Sequence, residues 1–187
     1  MISKVTNISK AIFATVLFTL LAVSQHSYAS SKIELDARVT ATLERLYESQ
    51  SEAKALASKA AAVLVFPRIL QGGIGIGGEV GEGALIKKGQ ASLYYRITSL
   101  SVGFQLGGQA KAEVIMFMTN ESYRHFVESD GWEAGIDGSI AIVEFGVGRE
   151  IDTNSIRDPI IAFILDNKGL MYNLSIEGSK FWKISKS

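Results

Sequence analysis

GGIGIGGEVGEG, residues 72–83, holds seven glycines in twelve positions. Its larger residues keep a period of two. Ile74, Ile76, Val80, Ala84 and Ile86 fall on one side, and Gly73, Gly75, Gly77, Gly81 and Gly83 on the other. Alternation of this kind marks a β-strand with one apolar face, not a flexible linker. The opposite face is almost bare backbone, and each interior glycine costs about 0.5–1 kcal/mol relative to alanine. Five glycines on one face therefore predict a very close approach by a packed element, a tight barrel bend or a ligand. Glu79 is the only large side chain among them, read as an acceptor for backbone amides or a partner of Arg68.

Upstream, Ile33, Val39, Leu43, Leu46 and Tyr47 recur at helical spacing among charged residues, which predicts an amphipathic helix from Ser31 to Glu48. An alanine-rich helix is expected after Ser51, then a short buried strand from Ala62 to Phe66 halted by Pro67. Downstream, strands are expected at Ala91–Thr98 and Leu100–Gly107, the second with small residues on one face. Lys111–Met118, apolar on both faces, is expected as a central strand, and Glu121–Glu128 as a short helix capped by Thr119 or Asn120. Further strands are expected near Trp132 and at Ser139–Phe145. Ile160–Leu165 and Leu170–Ile176 bracket a four-position loop ending in Gly169. The sum is an α+β fold: a strongly bent, barrel-like antiparallel sheet with N-terminal helices packed on it and one short helix later.

Lys4 and Lys10 precede an apolar run of thirteen residues, Ala11–Val23, and Ser27, Tyr28 and Ala29 follow with a small-any-small pattern. This predicts a secretory signal peptide cleaved after Ala29, because thirteen residues fall short of the ~20 that span a hydrocarbon core. Residues 30–187 are then expected as one exported domain, periplasmic or associated with an envelope membrane. Its balance is 17 basic against 19 acidic side chains, net 17 − 19 = −2, once Lys4 and Lys10 are removed. Such a balance argues against a duplex nucleic-acid binder. The chain has no cysteine, which excludes disulfides and a cysteine-linked lipid.

Chemical motifs are sparse. Gly73, Gly75 and Gly78 satisfy a GxGxxG spacing, but the pattern continues as strand where a dinucleotide site needs a helix start. Lys87 and Lys88 come too late after Gly83 for a phosphate loop. Beyond residue 29 the one histidine is His125, so no zinc or copper site, and no metal or cofactor, is expected. No GxSxG elbow is present. A carboxylate-based hydrolase using Glu79 or Glu82 is the remaining enzymatic reading, but the two fall on opposite strand faces by parity, and the protein is read as noncatalytic.

The run VLVFPRILQGGIGIGGEVGEG (63–83), followed by SVGFQLGGQA (101–110) and GLMYNLSIEGS (169–179), resembles the SYLF domain, also called DUF500 or the actin-regulating Las-binding domain. The resemblance covers about Glu34 to Ile184. It implies a lipid-binding module, phosphoinositide-binding and actin-linked in eukaryotic members. An exported bacterial member would meet phospholipid or a membrane surface, with an envelope protein partner or structural role as the alternative and actin excluded by compartment. Three groups of residues are expected to serve this function. Lys54, Lys59, Arg68, Lys87, Lys88 and Arg96 would gather as a headgroup patch. Phe181, Trp182 and Lys183 would contact membrane, although core aromatics on a closing strand explain them equally well. Lys32, Arg38 and Arg45 would give the first helix an interfacial face, a helix docked on the sheet being the competing reading.

Overall fold

The computed structural model describes residues 31–103, 109–143, 158–166, 169–170 and 176–186. The side-chain surroundings of 73–76, 101–103, 109, 166 and 169–170 are not among what is described. The cleavage site at Ala29, the end of the expected Leu100–Gly107 strand, positions 144–145 and most of Leu170–Ile176 lie outside the described residues. Residues 31–187 form one compact unit.

Two helices open this unit. Ser31 caps α1 (Lys32–Ser49), its hydroxyl accepting from the Glu34 N–H at 3.2 Å. Leu35, Val39, Thr42 and Leu46 are its buried residues, one continuous helical face. Ile33, expected in that stripe, is 82% exposed. Leu35 replaces it because four residues, not six, bring a side chain back into line with Val39. α2 (Ser51–Lys59) follows and buries Ala53 and Leu56.

The two strands expected on either side of Pro67 are a single strand, β1 (Ala62–Lys87). Pro67 does not end it. Phe66 pairs with Glu113 and Ile69 with Lys111, so β1 spends three residues where its partner spends two. That is a β-bulge, a place where a strand tolerates proline. The extra residue also shifts the phase of the pleat. Before the bulge Leu64 and Phe66 face one core, and after it Ile69 and Leu85 face the same core.

β2 (Gln90–Gly103) likewise joins two expected strands, and β3 (Gln109–Phe117) is the expected central strand. β1 pairs antiparallel with β3 through its first half, as far as Gln71↔Gln109, and with β2 through its second, from Gly75↔Gly103. The second half then folds back over the first. Gly83 lies against Val65 and Phe66, and Gly81 against Arg68 and Ile69. Both contacts are centred on positions 74–75, inside the glycine run.

After β3 comes α3 (Asn120–Glu128), capped by Thr119, whose hydroxyl accepts from Ser122 N–H at 3.1 Å. β4 (Trp132–Glu133), β5 (Ala141–Ile142), β6 (Ile160–Asp166), β7 (Gly169–Leu170) and β8 (Lys180–Ile184) complete the set. The order is β4-β8-β2-β1-β3-β6-β5, with β7 paired to β6. β5 departs from the expected antiparallel pattern by running parallel to β6. The turn of the β6–β7 hairpin is also shorter than expected, since Asp166 pairs with Gly169. The sheet is a curled half-barrel in an α+β fold, as expected.

Each sheet face has its own core. The concave face gathers Phe66, Tyr95, Phe117, Phe126, Trp132 and Phe181 with α3. The convex face packs Val63, Val65, Val114, Met116, Ile161 and Phe163 under α1 and α2. The Tyr94 hydroxyl donates to Asp36 at 2.9 Å and ties α1 to β2.

Candidate functional site

A groove of about 460 Å³ runs between α1 and the sheet, a size in the range of small-ligand sites. Arg38, Ala41, Thr42 and Arg45 of α1 form one wall. The β1 bulge, Pro67 and Arg68, forms the other, and Ala110, Lys111, Ala112 and Leu165 complete the lining. Arg38 and Arg45 stand two helical turns apart on one face, and the bulge places Arg68 across from them. Arg38 bonds Glu34 at 2.5 Å, with both side chains about half exposed. Among the described residues no ion pair engages Arg45 or Arg68. Guanidinium forks above small apolar residues suit an amphiphile with an anionic head, because they bind phosphate oxygens in pairs.

Lys111 borders the groove, but its ammonium turns to two acids. It lies 2.9 Å from Glu79 and 3.0 Å from Glu113. Glu79 thus finds its partner in Lys111, not in Arg68. Glu113 is completely buried, and its two oxygens receive no well-aligned hydrogen bond. Burial pushes its carboxyl above the ordinary carboxylate value, against the pull of the Lys111 ammonium. For Lys111, burial works to lower the pKa, but Glu113 and Glu79 outweigh it and hold the ammonium above its usual value. Glu82, on the opposite strand face, bonds Arg96 at 2.9 Å and Lys186 at 2.5 Å. Burial would raise its carboxyl, yet the two cations bring it below the usual range.

Of the six expected headgroup cations, Arg68 alone lines the groove. Lys54 and Lys59 are exposed on α2. Lys87 sits 3.9 Å over the Tyr123 ring, Lys88 occupies the β1–β2 turn with φ 51°, and Arg96 is held by Glu82. Phe181 is 1% exposed in the aromatic core, whereas Trp182 is 41% exposed and Lys183 is exposed. Gly81 and Gly83 meet backbone and core side chains. Gly77 is partly buried, and the surroundings of Gly73 and Gly75 lie outside what is described. Arg38 and Arg45 were legible as basic positions on one helix face. Their groove was not, because its far wall depends on the bulge at Pro67.

Among the described residues no group of acids and histidines is arranged to hold a metal ion, and no helix is long and apolar enough to cross a membrane. Comparison with protein families matches residues 98–186 to the model described as Las17-binding protein actin regulator. The matched segment contains the FQLGGQ and SIEGS motifs. The glycine run and the three groove arginines precede it. No curated protein matches the chain.

Proposed function

Residues 98–186 belong to the Las17-binding protein actin regulator family, the SYLF domains, and from that membership we propose that the chain is a noncatalytic, exported lipid-binding protein of the cell envelope. The groove between α1 and the β1 bulge receives the anionic headgroup of a phospholipid. The observation that carries this reading is that Arg45 and Arg68, which no ion pair engages among the described residues, line opposite walls of a groove with an apolar floor. Cations beside apolar lining suit an anion that also brings apolar surface. The carboxylates support the noncatalytic part: Glu79 is engaged by Lys111, and Glu82 by Arg96 and Lys186. Export would separate the protein from actin, which the family description names.

The test is co-sedimentation of the protein processed at Ala29 with anionic and neutral vesicles at low salt, alongside native mass spectrometry of protein purified from its own envelope. Binding to anionic vesicles, or a copurifying phospholipid, is expected. Failure on both counts removes the proposal.

A second reading, an envelope protein-interaction module, draws on Val80, Leu100 and Trp182. They are 47%, 88% and 41% exposed on the convex face of β1, β2 and β8, beyond the area that α1 covers. Capture of a protein partner independent of lipid would favour it.

A further inference from the structure

We infer that the groove selects a headgroup carrying two phosphodiesters, laid along α1 from Arg38 to Arg45. The inference rests on the reading of the groove as a headgroup site and narrows its ligand class.

Three observations lead there. First, the cations are spread out. Positions 38 and 45 lie about 10 Å apart along the helix axis, with Ala41 and Thr42 between them on the groove wall. Glu34, one turn before Arg38, pairs with that guanidinium, but the spacing from Arg45 is set by the helix backbone and does not depend on this pair. One phosphate bound at Arg45 would leave Arg38 unused, while a second phosphate further along the same head would reach it. The Arg38–Glu34 pair is exposed on both sides, and such pairs are weak enough to be shared with or yielded to a phosphate.

Second, the charges match. With the Lys111 ammonium taken up by Glu79 and Glu113, Arg38, Arg45 and Arg68 against Glu34 leave two positive charges at the groove, and two phosphodiesters bring two negative ones. A ring bearing several phosphomonoesters would bring more charge than the groove offsets. Third, the lining between the cations is mostly apolar, with Ala41, Ala110, Ala112 and Leu165, and the Thr42 hydroxyl among them already donates to the Arg38 carbonyl at 2.8 Å. A short aliphatic bridge between phosphates can lie there without leaving a polar group unpaired.

The experiment uses the protein with phosphatidylcholine vesicles containing either phosphatidylglycerol, with one phosphodiester, or cardiolipin, with two. Cardiolipin is present at half the mole fraction, so total charge is equal. Cardiolipin vesicles are expected to bind about tenfold more tightly, the effect of one added charge-assisted hydrogen bond. Arg38→Gln should abolish that preference while leaving phosphatidylglycerol binding in place. Glu34→Gln, which keeps all three arginines, should preserve the preference. Deacylated cardiolipin headgroup should compete for the site, and inorganic phosphate at equal charge should not. Equal affinity for the two vesicles, a preference that survives Arg38→Gln, its loss in a folded Glu34→Gln protein, or competition by phosphate alone overturns the inference and leaves the headgroup reading standing. Absence of binding to either vesicle overturns both.

Discussion

A Cβ built on Gly83 would stand 2.6 Å from the Phe66 ring, so the two halves of β1 meet without room for a single methyl group. Phe66 is itself fully buried and packs against Phe181 at 5.8 Å between ring centroids. The ring has nowhere to retreat. Gly81 repeats the contact, 2.8 Å from both the Arg68 carbonyl and Ile69 Cγ1. Gly83→Ala is therefore expected to destabilise the protein by about 1–3 kcal/mol through overpacking. Gly72→Ala, where a Cβ meets nothing within 4 Å, should be neutral or stabilising by about 0.4–1 kcal/mol. Urea denaturation of both variants checks the contrast. Equal effects at the two positions would refute the fold-back as the reason for the glycines.

The alternation in residues 72–83 showed a strand with one bare face, and that face is where β1 packs on itself. Period alone could not show that the neighbour would be the same strand. Pro67 is the reason. Read locally it breaks a strand, but flanked by pairing to β3 it becomes a bulge that rephases the pleat and aligns Gly81 and Gly83 with the core. The helices were legible because stripe and caps are local features, with Ile33 misplaced by two residues. The groove was half legible, since Arg38 and Arg45 share one helix, while Arg68 joins them only through the bulge. The tail pattern at Phe181 and Trp182 could not say which aromatic faces inward, because strand alternation leaves the phase open until the pairing of β8 with β2 is known.

That phase makes a second contrast. Phe181→Ala should cost about 3–5 kcal/mol as a core truncation, since Phe181 touches the rings of Phe66, Phe126 and Trp132. Trp182→Ala removes a half-exposed ring whose Nε1 donates to Thr98 at 3.3 Å and should cost about 1 kcal/mol or less in stability. Melting temperatures of the two variants decide it. A Trp182 variant as unstable as the Phe181 variant would contradict the assigned faces.

Arg45→Gln and Arg68→Gln each remove one cation from the groove lining. Each is expected to weaken binding to anionic vesicles by about 1 kcal/mol, roughly fivefold, with little change in melting temperature because neither side chain holds an ion pair among the described residues. Lys54→Gln, on exposed α2 and outside the groove lining, should have a smaller effect at moderate salt, where screening reduces nonspecific attraction. Vesicle titrations at two salt concentrations separate these cases. An Arg45 variant with unchanged affinity would move the headgroup site elsewhere.

Glu113 sets the sign of the pH dependence. Its carboxyl is raised in the folded state by burial, with Lys111 opposing, so the folded protein holds this proton more tightly than the unfolded chain does. The associated stability is fully present below the unfolded value, ~4.3 for a glutamate, and is lost as pH rises through the folded value. Glu82 works in the other direction. Its carboxyl is lowered by Lys186 and Arg96 against its burial, so its contribution is present above ~4.3 and lost as pH falls through its folded value. The two windows meet on the acidic side of neutrality, where stability should peak. Glu113→Gln keeps the shape of the side chain, leaves Lys111 paired with Glu79 and removes the buried carboxyl whose titration opposes folding as pH rises. It should therefore stabilise the protein at pH 7 by on the order of 1 kcal/mol and flatten the decline above the peak. Glu82→Gln should instead flatten the decline below it. Denaturation midpoints of the three proteins between pH 3 and pH 8 test the assignment, and a Glu113→Gln protein less stable than its parent at pH 7 would show that the buried carboxylate is a net support of the sheet.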